Sequence, residues 1–185
     1  MRVGVFARPM QSHEDAACVA AAQAGDRSAF GLLYDRYASL VHGILLAHVP
    51  ALDVDDLVHD VFLAALRALS SLRDPAAFGG WLAKIARNRA RDYYRRAPRR
   101  AENELEDSLP GSGPGSTAAN AELRAALSAI RELPQTYRET LLLRLVEGMT
   151  GPEIALRTGL TPGSVRVNLH RGMKLLREKL EKKAP

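Results

Sequence analysis

A stretch rich in proline and glycine, residues 98–120, divides this 185-residue chain into two helix-rich halves. It holds three prolines and three glycines but few apolar side chains, so it has little to contribute to a core. Its acidic run is Glu102, Glu104, Glu106 and Asp107. This composition predicts a flexible acidic linker between a first domain in residues 1–97 and a second in residues 121–185. Residues 1–11 show no helical pattern and are expected to be disordered.

Both halves show the three-to-four-residue spacing of apolar side chains that is typical of amphipathic helices. Asp26 and Asp53 are placed to cap two helices, Asp74 and Pro75 to begin another, and Gly25 to end the first. Residues 165–169 alternate as a strand would, but they lie inside a helix with strong start signals. The predicted fold class is therefore all-α, with two small helical domains.

The last two predicted helices have the layout of a helix-turn-helix motif. Thr150 and Glu153 form a capping box, Gly159 ends a short helix, and Thr161 and Pro162 begin a long one. One face of the long helix is predicted to pack inward, with a glycine that lets a neighbouring helix approach: Val165, Leu169, Gly172 and Leu176. The positions predicted to face DNA are Ser164, Arg166, Val167, Asn168, His170, Arg171 and Lys174.

Three of these side chains suggest distinct contacts with a duplex. Arg171 is suited to bind guanine with two hydrogen bonds, and Val167 to contact a thymine methyl group. Lys174 is placed to bind a phosphate, which positions the protein without reading sequence. The alternative is that this is the solvated basic face of an ordinary bundle helix.

A second candidate surface is the basic helix that ends the first half. Between residues 84 and 100 only Asp92 opposes a run of cations: Lys84, Arg87, Arg89, Arg91, Arg95, Arg96, Arg99 and Arg100. Aromatic residues border or interrupt the run: Phe78, Trp81, Tyr93 and Tyr94. Cations can hold the DNA backbone while neighbouring aromatic rings stack on unpaired bases. This combination suits a DNA strand that is separating from its duplex. For Trp81 the competing interpretation is an ordinary core residue.

In order and spacing, these segments resemble the extracytoplasmic-function group of bacterial sigma factors, the small members of the sigma-70 family. The resemblance extends from about Ala16 to Lys182. Its motifs in the first half are residues 26–37, 55–62 and 78–88, and in the second half residues 133–139, 147–148, 153–155, 163–166 and 169–171.

The resemblance implies that the first domain reads and melts the −10 promoter element and that the second reads the −35 element. Implied contacts at the −10 element are Ser71, Leu72, Arg73, Phe78, Trp81, Lys84, Arg87, Asn88, Arg91, Tyr94 and Arg95. Implied docking residues for the β′ clamp helices of core RNA polymerase are Asp55, Asp56, Leu57, Asp60, Val61 and Phe62. The β flap and an anti-sigma factor are further implied partners.

Other classes of function fit the sequence less well. The five histidines are scattered, and no nucleophile-base or metal-ligand grouping occurs at usable spacing, so we expect no enzyme activity, metal, cofactor or small-molecule substrate. A helix-turn-helix regulator that binds duplex DNA without polymerase is the alternative. It explains residues 150–182 equally well but leaves the basic helix with its aromatic residues unexplained.

The bulk properties agree with a nucleic-acid partner inside the cell. The formal net charge of +5 favours a polyanionic partner. The single cysteine, Cys18, suits a reducing cytoplasm. There is no secretory h-region and no apolar run long enough for a membrane span, so we expect a cytoplasmic protein without membrane insertion, which an anti-sigma factor could hold at the membrane.

Overall fold

A computed structural model describes residues 12–96 and 118–183, and within them it contains eight α-helices and no β-strand. The helices of the N-terminal module are α1 (Ser12–Gln23), α2 (Arg27–Leu46), α3 (Val54–Ala68) and α4 (Phe78–Arg96). Those of the C-terminal module are α5 (Ala118–Arg131), α6 (Gln135–Leu145), α7 (Gly151–Thr158) and α8 (Pro162–Lys183). Short 3-10 turns are Ala51–Asp53, Leu69–Ser71 and Pro75–Ala77. The predicted all-α class is confirmed.

Two predicted segments lie wholly or largely outside the described residues. These are the N-terminal residues 1–11 and the part of the predicted linker within residues 97–117. The last three residues assigned to the linker, 118–120, belong to α5.

Local capping chemistry explains several of the helix boundaries. The Asp26 carboxylate accepts hydrogen bonds from the amides of Ser28 at 2.8 Å and Ala29 at 3.2 Å. Asp74 caps as predicted, but the turn that it begins is a 3-10 turn, and α4 starts only at Phe78. Asp53 occupies the predicted N-cap position of α3, but its side chain makes no cap bond and instead accepts a 2.9 Å hydrogen bond from the Tyr93 hydroxyl.

The core of the N-terminal module is built around α2, which packs against α1, α3 and α4. Leu33, Leu40 and Ile44 are fully buried along it. Asp15 on α1 is also buried, and its carboxylate accepts hydrogen bonds from the Tyr37 hydroxyl at 2.8 Å and from Arg36 at 3.0 Å. These hydrogen bonds compensate the desolvation of the Asp15 carboxylate, and together they fix α1 against α2. Burial, with the Asp15 bond, raises the pKa of Tyr37.

In the C-terminal module, α8 packs across α6, α5 and α7. Val165 and Leu176 are 1% and 5% exposed, as predicted for the inward face. A Cβ at Gly172 would lie 3.0 Å from Leu141 Cδ1 and 3.1 Å from Tyr137 Cβ. The close helix approach predicted at this glycine is therefore confirmed.

The two modules also pack directly against each other, which the sequence analysis did not anticipate. Helix α6 lies on α2, and α7 lies on α4. A Cβ at Gly43 would come within 2.7 Å of Leu143 Cδ2, and one at Gly79 within 2.9 Å of the Arg157 carbonyl oxygen. Buried apolar side chains of both modules form one continuous cluster. We call the contact that α2 and α4 make with α6 and α7 the seam.

The glycine at position 172 provides a test of the helix packing. Gly172→Val places methyl groups against Leu141 and the fixed Cβ of Tyr137, so we expect overpacking that lowers the free energy of unfolding by about 1–3 kcal/mol. The control is Gly163→Val on the first turn of α8, where the nearest atom to a new Cβ is Thr161 Oγ1 at 3.9 Å. Urea unfolding followed by circular dichroism measures both variants. Equal midpoints for the two would contradict the packing described.

Candidate nucleic-acid interface

Helices α7 and α8 form the helix-turn-helix, and the side chains that fix its turn are well defined. Thr150 and Glu153 make the predicted capping box, with the Thr150 amide donating to Glu153 Oε2 at 2.7 Å. The bonds from Thr150 lower the pKa of Glu153. Gly159 closes α7 at φ 74°, a left-handed conformation that favours glycine. Thr161 Oγ1 then accepts from the Ser164 amide at 3.1 Å and so begins α8.

Most of the residues predicted to face DNA on α8 are exposed. The exposed members of the set are Ser164, Arg166, Val167, His170, Arg171 and Lys174. Asn168 is a correction, because it is only 7% exposed and its amide reaches 3.5 Å from Thr140 Oγ1 on α6. Its wheel position lies beside Val165 rather than on the outer face, so it supports α8 from the inside.

On α4 a second set of predicted residues forms an exposed stripe: Lys84, Asn88, Arg91 and Arg95. Their spacing of three to four residues aligns them along one side of the helix. Arg91 donates to the Asn88 side chain, and Arg95 forms a 3.1 Å ion pair with Asp92. We call these four residues the α4 stripe. It presents three cations over about 16 Å of helix.

The aromatic residues beside the α4 stripe divide between core and surface. Trp81 is half-buried, and its ring centroid lies 5.8 Å from that of Phe78. Phe78 is 1% exposed and packs edge-on against Tyr37, so the prediction that it contacts DNA is corrected to a core role. Trp81 therefore packs partly against the core and leaves part of its side chain accessible, an arrangement that is compatible with both interpretations weighed for it.

The loop between α3 and α4 is anchored by hydrogen bonds from the end of α1. Gln23 Nε2 donates to the carbonyl oxygens of Leu69 at 2.9 Å and Leu72 at 2.8 Å. Ser71 and Arg73 are exposed, whereas Leu72 is 9% exposed and anchors the loop. The prediction that the Leu72 side chain contacts DNA is thus corrected in the same way as that for Phe78.

The predicted polymerase-docking residues on α3 also divide into two groups. Asp55, Asp56 and Asp60 are exposed and Leu57 is half-buried. Val61 and Phe62 are 0% and 3% exposed, with the Phe62 ring 4.4 Å from that of Tyr34, so they are corrected to core positions. The surface of α3 is consequently acidic, while its opposite face secures the helix to α2.

Two predicted −10 residues are half-buried and hydrogen-bonded within the protein, Arg87 across the seam and Tyr94 inside the N-terminal module. Arg87 forms a two-pronged ion pair with Glu139 of α6, with Nε to Oε2 at 3.0 Å and Nη2 to Oε1 at 2.5 Å. Tyr94 donates from its hydroxyl to the His48 carbonyl oxygen at 2.7 Å. The Glu139 bond raises the pKa of Arg87, and burial raises that of Tyr94.

Glu139 is 8% exposed and is the charged centre of the seam. Burial alone would raise the pKa of Glu139, but the hydrogen-bonded guanidinium of Arg87 and the nearby His48 lower it below its ordinary value. His48 Nε2 lies 3.5 Å from Glu139 Oε2 without forming a hydrogen bond. The carboxylate therefore stays ionised, paired with Arg87 and close to His48, both of which belong to the other module.

Further polar contacts join the two modules, among them a 3.3 Å hydrogen bond from Arg131 to the Val49 carbonyl oxygen. His42 Nδ1 lies 2.6 Å from Glu147 Oε1. Arg138 donates to the Ala47 carbonyl oxygen at 3.0 Å, and Arg157 donates to that of Arg36 at 3.0 Å. The Arg157 guanidinium also lies 5.5 Å from the centroid of the Tyr37 ring.

Sequence reasoning missed these residues because their partners are more than 50 positions away along the chain. One usable signal was the Gly79-Gly80 pair inside α4, since consecutive glycines in a helix indicate close backbone approach. A search of the described residues found no group of His, Cys, Asp and Glu able to hold a metal, and none of their helices is long and apolar enough to cross a membrane.

Comparison with known proteins identifies both modules. Residues 33–100 match the family model "Sigma-70 region 2", and residues 123–176 match "Sigma-70, region 4". The ECF RNA polymerase sigma-E factor of Haemophilus influenzae is 32% identical over 180 residues, covering 90% of this chain and 95% of that protein. The Escherichia coli K12 protein of the same name is also 32% identical, with 90% and 94% coverage.

Solved structures show the same architecture. CnrH, solved in complex with the cytosolic domain of CnrY, aligns with a TM-score of 0.64 and 31% identity, covering 92% of this chain and 99% of CnrH. The sigma factor RpoE from Bartonella quintana, solved with the anti-sigma factor NepR, shares the fold with a TM-score of 0.56 at 20% identity, over 82% of this chain and 96% of RpoE.

The His42–Glu147 contact predicts a measurable titration. The Glu147 hydrogen bond raises the pKa of His42 above its ordinary value, so its stabilising contribution is fully present below the ordinary pKa. That contribution is lost as the pH rises through the raised pKa. Glu147→Gln removes the charge, and we expect the His42 pKa to fall in an NMR titration of its ring protons. The exposed His170 is the internal reference, and an unchanged His42 pKa would contradict the contact.

Proposed function

The chain belongs to the sigma-70 family as an extracytoplasmic-function RNA polymerase sigma factor, and from this premise we propose which of its surfaces meet promoter DNA and which meets the polymerase. Residues 1–97 are proposed as region 2 and residues 98–117 as the linker, and region 4 begins with α5 at residue 118. The observation that carries the proposal is the presence of two separate exposed surfaces that bear cations, the outer face of α8 and the α4 stripe.

We assign the reading of the −35 element to α8. Its exposed residues Ser164, Arg166 and Val167 lie in the first half of the helix, where recognition helices reach base edges. Arg171 and Lys174 follow on the same outer face. In this assignment Arg171 reads a guanine and Lys174 holds a phosphate.

We assign the −10 element to the α4 stripe together with Trp81 and the exposed loop residues Ser71 and Arg73. The stripe holds the backbone by charge, and the accessible part of the Trp81 ring supports an unstacked base. Arg87 joins this surface only when its guanidinium is free of Glu139. Phe78 and Leu72 make no DNA contact in this assignment. From the core, Phe78 positions the Trp81 ring and Leu72 anchors the loop.

We assign polymerase docking to the acidic face of α3. Asp55, Asp56 and Asp60 present three carboxylates on one exposed helix face, which fits a basic surface of the β′ clamp helices. Leu57 adds a half-buried apolar contact. The β flap would meet region 4.

The remaining partners follow from the relatives. CnrH is 31% identical and was solved with a protein partner, the cytosolic domain of CnrY, which supports an anti-sigma factor for this chain. We propose a cytoplasmic location, with attachment to the membrane only through such a partner. We further propose that the chain catalyses no reaction itself, since nucleotide addition belongs to the polymerase.

A regulator that binds duplex DNA alone was the alternative function. It does not account for the match of residues 33–100 to Sigma-70 region 2. Run-off transcription with core polymerase on a genomic promoter library tests the choice directly. We expect defined start sites that depend on this protein and share both elements. Absence of any dependent transcript would reject the proposal.

Arg171 and Lys174 form a matched pair for testing base reading. Arg171→Ala is expected to cost ~1–3 kcal/mol of discrimination at one −35 position, because the bidentate contact to a base is lost. Lys174→Ala is expected to weaken binding similarly on all sequences and to reduce the salt slope by about 1. Binding of the holoenzyme to singly substituted promoters measures both. A uniform loss for Arg171→Ala would contradict its assigned role.

The α3 surface is tested by charge reversal. Asp56→Lys should weaken association with core polymerase, because it replaces an attractive contact with repulsion at the docking face. Arg27→Glu, a charge reversal at an exposed position on α2, is the control and should leave the affinity near that of the wild type. Titration of labelled protein with core polymerase gives both dissociation constants. An unchanged value for Asp56→Lys would remove α3 from the interface.

A further inference from the structure

We propose that Gln23, the last residue of α1, is a positioning residue for the −10 element, because its side chain fixes the loop that carries Ser71 and Arg73. The proposal rests on the assignment of this loop to the −10 element and goes beyond it by naming the residue that sets the shape of the loop. Gln23 itself makes no DNA contact in the proposal. It acts through the backbone of residues 69–72.

The side-chain amide of Gln23 binds two points of the loop at once. Nε2 donates to the carbonyl oxygen of Leu69 at 2.9 Å and to that of Leu72 at 2.8 Å, 46 and 49 positions further along the chain. A carbonyl oxygen only accepts, so the NH2 end of the amide must face the loop, and each of its two hydrogens serves one carbonyl. One side chain therefore fixes both ends of a four-residue turn.

Bonds within the turn and burial of its two ends complete this arrangement. The Leu72 amide donates to the Leu69 carbonyl oxygen at 3.1 Å, and the Ser71 hydroxyl donates to that of Ala68 at 2.6 Å. Leu69 and Leu72 are 3% and 9% exposed, so their side chains lie in the core while Gln23 holds their carbonyl groups. Ser71 is exposed between these two anchors.

Arg73 is oriented by the same anchor. Leu72 is extended, with φ −75° and ψ 108°, and so is Asp74, with φ −112° and ψ 104°. Successive side chains of an extended segment point to opposite sides, so burial of Leu72 turns Arg73 outward. On the other side of Arg73, the Asp74 carboxylate accepts from the Ala76 amide at 3.0 Å. Arg73 is therefore an exposed side chain between two fixed residues.

Gln23 can act as an anchor because the end of α1 is itself fixed. Gly25 has φ 99°, in the left-handed region that favours glycine. The Gly25 amide donates to the Ala22 carbonyl oxygen at 3.1 Å, and the Asp26 amide donates to that of Ala21 at 3.0 Å. This pair of bonds is the Schellman motif, which ends a helix at a defined residue. The loop is therefore tied to a rigid corner between α1 and α2.

A loop that is already ordered loses less conformational entropy when it binds. Its order matters most for reading bases, because a hydrogen bond to a base edge weakens steeply when the donor is displaced or tilted. A phosphate contact tolerates more movement, since attraction between charges depends less on direction. Loss of the Gln23 anchor should therefore reduce discrimination between −10 bases more than overall affinity for DNA.

Two substitutions at this exposed position test the role without changing the core. Gln23→Met keeps the side-chain length but removes both donors, and Gln23→Glu places a carboxylate against two carbonyl oxygens. Transcription by the holoenzyme is measured on promoters with single substitutions in either element. We expect both variants to lower discrimination at the −10 position read by the loop about fivefold to tenfold, and to leave discrimination in the −35 element unchanged.

The readout separates specificity from stability. Discrimination is a ratio between two promoters measured on one preparation, so a smaller folded fraction does not change it. Gln135→Met, at the exposed first residue of α6, is the matched control and should keep wild-type discrimination in both elements.

A double-mutant cycle tests whether Gln23 acts through the loop. In a Ser71→Ala/Arg73→Ala background, we expect Gln23→Met to add less than about a twofold further loss of −10 discrimination. The two proposals fail separately. Wild-type discrimination by the Ser71→Ala/Arg73→Ala protein would reject the assignment of the loop to the −10 element. If that protein loses discrimination, then unchanged discrimination in Gln23→Met and Gln23→Glu, or fully additive losses in the cycle, would overturn the role of Gln23.

Discussion

The structure depends on a buried carboxylate that must be paired. Glu139 is 8% exposed, and an unpaired charge at that depth would cost far more than a surface charge. Its hydrogen-bonded partner is Arg87 of the other module, so the charge is paired only while α6 lies against α4. A buried ion pair contributes little net stability compared with apolar packing, but it favours one arrangement of the two modules over others.

Glycines allow the apolar part of the same contact. A side chain at Gly43 or Gly79 would collide with Leu143 or with the Arg157 backbone, so α6 and α7 can approach only where these Cβ atoms are missing. The approach brings Leu143 into the core of α2 and Arg157 onto the Tyr37 ring. The glycines thus set the distance at which Glu139 meets Arg87, and packing and charge specify the same orientation.

Local signals along the sequence predicted the helices, whereas contacts between residues far apart in the chain could not be predicted. Asp26, the Thr150–Glu153 box and Gly159 act within a few residues, so their roles followed from sequence. The faces of α8 were largely predicted by its periodicity, although Asn168 proved to lie inward against Thr140. Phe78, Val61 and Phe62 were placed at binding surfaces because their motif suggested function, but burial decides their positions. The Arg87–Glu139 pair joins residues 52 positions apart, and no local pattern encodes it.

The seam also explains why α8 and α4 differ in how much of their cationic surface is exposed. The outer face of α8 points away from the seam and stays open, whereas α4 uses Arg87 and the Gly79-Gly80 surface for closure. An open molecule is compatible with the covalent chain, because residues 97–117 fully extended can span roughly 70 Å. A shorter connection would force the modules to remain together or to open only slightly. The length of the chain between the modules therefore permits separation, while the apolar packing and the charged contacts of the seam oppose it.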